Sequence, residues 1–216
     1  MEKVMTLALE SGFEIRCRAF LQAQEGVDVA HDLNHIYRVV KMAKQLALDE
    51  SANLVVVLPA AWLHDCVSLP KNHPERHLAS TLAADKAIDF LKSIDYPSEY
   101  FESIHHSIRA HSFSANVSLE SLEAQIVQDA DRLDALGAVG IARCMQVSGA
   151  LNRALYSLDD PFCEIRQPDD VRYSIDHFYN KLFRIADSLN TASAQAEGRR
   201  REAVMRVFLQ KLALEI

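Results

Sequence analysis

The sequence predicts an all-helical fold in a single domain. Three observations carry that reading: apolar residues recur at three-and-four spacing in nearly every segment, alternating strand patterns are absent, and breakers are few, with six glycines and six prolines. At 216 residues, 49% of them hydrophobic, the chain is long enough to bury a substantial core and falls within the range of one domain. One domain over 1–216 is therefore expected, its core at about 26–140, with C-terminal helices over 171–215 packing on it.

Taken in order, residues 2 to 24 present Val4, Leu7, Phe13, Ile15, Phe20 and Leu21 on one face, and Glu25-Gly26 reads as the stop. A second helix, 32 to 48, carries Ile36, Val39, Val40, Ala43, Leu46 and Ala47. His31 and His35 are four apart, hence on one helical face if that helix begins early enough. The third helix, roughly 52 to 66, is apolar nearly all round, as a helix enclosed by others should be, and Pro59 within it must cost a backbone bond and is expected to kink it. Pro70-Lys71-Asn72-His73-Pro74 is a loop by its two prolines. A fourth helix is expected over 75–94 and a fifth over 98–110, the latter carrying His105, His106 and, at its end, His111. Ser112 to Ser118 reads as a loop, and a sixth helix, 119 to 135, ends in the cluster Gln128-Asp129-Ala130-Asp131-Arg132-Leu133-Asp134. Gly137 and Gly140 either break that helix or let helices approach closely. Residues 157 to 170 are irregular, and helices over 171–188 and 191–215 close the chain.

A net charge of -7 argues against a nucleic-acid partner, because affinity for strands comes largely from Lys and Arg neutralising phosphates. No apolar run approaches a membrane span, so no membrane partner is expected. Cys17, Cys66, Cys144 and Cys163 lack CxxC spacing, and Met1-Glu2-Lys3-Val4 lacks the layout of a signal peptide. A cytoplasmic protein with reduced thiols is expected.

The chemistry centres on Ala60-Ala61-Trp62-Leu63-His64-Asp65-Cys66, where an apolar run ends in a histidine beside an aspartate. A carboxylate at the inner end of such a segment is costly unless it is neutralised, and a divalent metal does so best. His31-Asp32-Leu33-Asn34-His35 upstream and the 128–134 cluster downstream hold residues able to complete its shell. Adjacent helical residues project about 100° apart, so His64 and Asp65 converge most easily at a helix end, where the backbone adjusts. The pattern points to a metal-dependent hydrolase. Lys71, Arg76 and Arg132 are the cations nearest these stretches, and they are candidates for neutralising the non-bridging oxygens if the substrate is a phosphate, as the resemblance below implies.

His35-Ile36-Tyr37-Arg38-Val39, Leu63-His64-Asp65 and Ala130-Asp131-Arg132-Leu133-Asp134 together resemble the H…HD…D signature of the HD superfamily of metal-dependent phosphohydrolases. The resemblance continues through Pro70-Lys71-Asn72, His111-Ser112-Phe113-Ser114 and Asp160-Pro161-Phe162 to the small stand-alone bacterial members. It implies His35, His64, Asp65 and Asp131 as four metal ligands, with Asp129 competing with Asp131. Asp131 is favoured because related nucleotide hydrolases use the aspartate directly before an Arg or Lys; Asp129 and Asp134 are then supporting carboxylates. Two imidazoles and two carboxylates suit Mn²⁺, Fe²⁺, Co²⁺, Ni²⁺ or Zn²⁺, with Mn²⁺ favoured. His111 resembles an additional ligand of dinuclear members and His77 sits where another could come. If both act, the site holds two ions; one ion is the favoured count, with His111 then donating a proton to the leaving oxygen or binding phosphate. Lys71 takes a catalytic role, while Arg76, Arg132 and His31 are placed to bind substrate.

The implied activity is hydrolysis of a small phosphorylated substrate, a nucleotide above all, by a triphosphate pyrophosphohydrolase or a nucleotidase. The alternatives are a non-catalytic nucleotide-binding module and a di-iron oxygenase, the latter requiring His77 and His111. A second copy of the chain is a further partner compatible with the sequence.

Overall fold

The structure, a computed structural model, describes residues 2–23, 29–67, 69, 73–112 and 115–216, and the backbone alone for 2–11 and 29–32. Among these residues it is all-helical, and the only extended pairing is an isolated bridge between Ala154 and Tyr173. The helices are α1 (Glu2–Gln22), α2 (Val29–Asp49), α3 (Leu54–Leu63), α4 (Ala79–Ser93), α5 (Phe101–His111), α6 (Leu122–Leu133), α7 (Gly137–Ala150), α8 (Phe183–Asp187) and α9 (Ala192–Leu212). Short 3-10 turns, Arg76–Leu78 and Ser98–Tyr100, lead into α4 and α5. The chain groups into two compact units, 1–130 and 131–216.

In the first unit α3 packs against α2, α4 and α5, and every residue from Val56 to Leu63 is buried. That enclosure is why the segment is apolar on all sides. Asn53 caps its start by accepting from the Val55 amide at 3.0 Å, and the Asn53 amide donates to Glu123 Oε1 of α6 at 3.1 Å. Pro59 has no amide for the carbonyl of Val55, yet the helix runs unbroken from Leu54 to Leu63. The Tyr96 hydroxyl supplies the missing donor, reaching Val55 O at 2.7 Å. Around α3 the core is filled by Val39, Ala43 and Leu46 of α2, Ala83, Ala87 and Leu91 of α4, Ile104 and Ile108 of α5, and Ile126 and Val127 of α6.

α3 is shorter than the expected 52–66. It ends at Leu63, and the Cys66 amide closes a turn on Leu63 O, with His64 still helical in its dihedrals. α2 begins at Val29, early enough to include His31. The Glu25-Gly26 stop lies outside the described residues.

The second unit holds α7, α8 and α9. Gly137 and Gly140, read from the sequence as breakers or as points of close approach, stand in the first turn of a full helix. Gly137 adopts φ +70°, and a Cβ there would lie 3.2 Å from Arg201 Cβ on α9; at Gly140 a Cβ would lie 2.1 Å from Ala135 O. The irregular stretch expected over 157–170 is present, but the helix expected to start at 171 does not. Residues 171–175 form turns around the Ala154–Tyr173 bridge, and helical backbone begins only at Asp176, leading into a π-helical turn at Phe178–Leu182. Asp169 Oδ1 accepts from the Val171 and Arg172 amides, and a carboxylate that satisfies nearby amides competes with helix formation.

Candidate metal centre

α3 delivers His64 and Asp65 at its C-terminal end, where the backbone is leaving the helix, and α5 ends on His111. His64 is wholly buried and His111 nearly so, while the Asp65 side chain is 48% exposed. In both histidines Nδ1 lies against the carbonyl three residues earlier: His64 on Ala61 O at 2.8 Å and His111 on Ile108 O at 2.5 Å. A carbonyl can only accept, so Nδ1 carries a proton in each ring, and in the neutral ring Nε2 then carries the lone pair. Both Nε2 atoms lie 3.6 Å from Asp65, His64 at Oδ2 and His111 at Oδ1, and His35 Nε2 lies 3.9 Å from Oδ2. The rings stand edge to face, 5.4 Å between the His35 and His64 centroids and 4.9 Å between those of His64 and His111.

These separations are too long for hydrogen bonds. They match the spacing of donors around an ion: atoms about 2.1 Å from one centre are roughly 3–4 Å apart at tetrahedral or octahedral angles. Two overlapping groups result, His64 with Asp65 and His111, and His35 with His64 and Asp131, each offering ligand atoms within 4.8 Å of one another. Two imidazoles held by backbone carbonyls and a carboxylate beside them form, with the rings neutral, the donor set a divalent transition ion takes, and a fixed second nitrogen is the usual way such ligands are oriented. Withdrawal from water would by itself raise the Asp65 carboxyl, but when the rings are protonated the charge on His64, then on His111 and His35, outweighs it and holds the group well below the ordinary carboxylate range. Asp65 is therefore an anion throughout the physiological range.

The other sequence candidates are dispersed. Asp129 is wholly buried and falls in neither group, and Asp134 pairs with Arg143. His77 is exposed in the turn before α4 and is also in neither group. Arg76, exposed in the same turn, donates Nη1 to Leu69 O. Arg132 donates Nη1 to Ser188 O at 2.7 Å. The histidine patch divides: His105 meets Asp85 at 2.9 Å, His106 accepts from the Glu120 amide at 3.2 Å, and only His111 reaches the centre. His31 lies on α2 with its side chain outside the description, and Lys71, Phe113 and Ser114 lie outside the described residues altogether. Sequence reasoning gave Gln128 no role. Its Nε2 donates at 3.0 Å to Ala110 O, the carbonyl directly before His111, and a buried amide beside a ligand-rich helix is the only signal that marks it.

The family model described as HD domain matches residues 32–136. The uncharacterized protein YpgQ of Bacillus subtilis is 32% identical over 190 residues, 86% of this chain and 84% of its own length. The crystal structure of Bacillus subtilis YpgQ in complex with ADP superposes with a TM-score of 0.70 at 30% identity, covering 96% of each chain. An HD-superfamily hydrolase from Bacillus thuringiensis gives a TM-score of 0.73 at 32% identity, over 95% of this chain and 97% of that one.

Proposed function

Because the chain belongs to the HD-domain family, we propose that it is a divalent-metal-dependent phosphohydrolase acting on a small phosphorylated substrate, a nucleotide above all. The observation that carries the reading is the tautomer lock: carbonyls of Ala61 and Ile108 hold the proton on Nδ1, so His64 and His111 present basic Nε2 atoms toward the Asp65 carboxylate. His35, His64, Asp65 and Asp131 would hold the ion. Mn²⁺ is favoured, and Fe²⁺, Co²⁺, Ni²⁺ and Zn²⁺ suit the same donors. A bound ion supplies a water of lowered pKa and screens the charge of a phosphoryl group.

The chain's own residues do the rest. His111, fixed by Ile108 O, first takes a proton at Nε2 and as the imidazolium returns it to the leaving oxygen, or stays neutral and joins a second ion with His64 and Asp65. Lys71 neutralises the phosphate as charge develops, and Arg76, Arg132 and His31 bind the remainder of the substrate. The ADP in the YpgQ complex supports a nucleotide, because a diphosphate on a base is the ligand class these cations suit. The di-iron oxygenase reading needs His77 as a ligand, and His77 is exposed and outside both groups.

The test is a panel of nucleoside mono-, di- and triphosphates with Mn²⁺, read by phosphate and pyrophosphate release, run beside Asp65→Ala. The reading expects turnover by the wild-type protein and none by the variant. Equal turnover by both proteins would end it.

A further inference from the structure

The last carbonyls of a helix have no intrahelical partner. At the end of α5 two of them carry side-chain bonds: Ile108 O accepts from His111 Nδ1, and Ala110 O accepts from Gln128 Nε2 on α6. Gln128 is 5% exposed, its acceptor comes from a wholly buried residue, and the bonded carbonyl belongs to the peptide that leads into His111. The amide orientation follows from chemistry, because a carbonyl accepts only from the NH₂ side.

We propose that Gln128 is a positioning residue that acts through His111, clamping the final peptide of α5 so that the imidazole keeps its Nδ1 bond to Ile108 O and its Nε2 stays aimed at Asp65. Without the clamp the terminal turn of α5 loses a buried side-chain bond at the peptide leading into His111, and helix ends fray first. A small rotation of that peptide swings the ring, and a 2.5 Å bond on one nitrogen and a 3.6 Å approach on the other cannot both survive it. Gln128 therefore sets the donor geometry of the group His64, Asp65 and His111. This rests on the metal-centre reading for its consequence in metal affinity, but the ring geometry of His111 is a property of the metal-free protein.

The experiment is long-range ¹H–¹⁵N spectroscopy of the histidine rings in metal-free wild type, Gln128→Met and Ile104→Val. Methionine keeps the length and removes the donor; Ile104 is a buried α5 residue whose trimming perturbs the same helix without touching the clamp. The expected result is a single Nδ1-protonated tautomer for His111 in wild type and Ile104→Val, and a mixture of tautomers in Gln128→Met with His64 unchanged. Titration with Mn²⁺ should then show affinity falling about tenfold or more in Gln128→Met, as loss of an outer hydrogen bond does at metal sites. A Gln128→Met protein whose His111 spectrum matches wild type overturns the proposal, as does an equal change in Ile104→Val. If Gln128→Met does not fold, the wild-type spectrum decides: one slowly exchanging Gln128 side-chain proton close to His111 supports the clamp, and fast exchange of both removes it. Wild type that binds no divalent ion would sink the proposed function while leaving the tautomer result to stand or fall by itself.

Discussion

A carbonyl three residues back along the helix decides which nitrogen of His64 and His111 is basic, and that fixes what the pair can hold. Asp65 adds charge without adding a hydrogen bond, so its removal should cost the ion more than the fold. Asp65→Ala is expected to lose bound metal while keeping its helical circular dichroism; full metal occupancy in that variant, by elemental analysis, would refute the assignment. Asp131→Asn should lower metal affinity strongly and Asp129→Asn weakly, because only Asp131 offers an oxygen within 4.8 Å of His35 and His64 nitrogens. An inverted result would exchange their roles. His64-Asp65 was legible in the sequence because an anion at the end of a buried apolar run needs a partner. Asp129 and Asp131 were not separable that way: two residues apart on a helix they face different sides, and which side bears the site is a tertiary fact.

At the scale of the element, local polar bonds decide where helices begin and end. Pro59 sits inside α3 without breaking it because Tyr96, distant in sequence, bonds the carbonyl that proline leaves over. Tyr96→Phe should destabilise the protein by about 1 kcal/mol, the net worth of one hydrogen bond, measured by urea unfolding. No loss of stability would mean that water serves Val55 O equally well. The late start of the helix, at Asp176 instead of 171, has the same kind of cause. Val171, Ile175, Phe178 and Leu182 carry helical spacing, but Asp169 bonds the amides after it, and Asp176 accepts both guanidinium nitrogens of Arg166 at 2.5 and 2.7 Å and the Asp169 amide at 2.6 Å. Apolar periodicity shows none of this. Burial would raise the Asp176 carboxyl, but Arg166 and the Asp169 amide outweigh it and its pKa is lowered. Its stabilisation is thus complete above the ordinary carboxylate value near 4 and drains away as pH falls through that range toward the lowered folded value. Asp176→Asn should cost about 3 kcal/mol at pH 7, the low end for breaking a buried ion pair, since Arg166 keeps some contact with water. It should also lose less further stability than wild type between pH 5 and about 3. Parallel acid limbs for the two proteins would show that Asp176 does not titrate as described.

At the scale of the whole molecule, the all-helical class could be read because three-and-four spacing is a one-dimensional signal that any helix buried on one face must carry. α7 escaped because Gly137 and Gly140, which permit a left-handed start and a close approach to Ala135 O, look like breakers when neither neighbour is visible. One group of ligand atoms joins His64 and Asp65 at the end of α3 with His111 of α5, and an ion there would bind side chains that lie far apart in the unfolded chain. Such an ion binds the native state and not the unfolded one, so it must stabilise by mass action, by about 2.7 kcal/mol at a hundred times its dissociation constant. For a chain of this size that is an upward shift of roughly 5–10 °C in thermal midpoint, reversed by chelator. Asp65→Ala should melt at the same temperature with and without the ion. The shift is independent of substrate and of turnover, so it separates the metal centre from the reaction assigned to it. A thermal scan of chelator-treated protein that gains nothing from Mn²⁺, Fe²⁺, Co²⁺, Ni²⁺ or Zn²⁺ would remove the metal centre, and with it the proposed hydrolase.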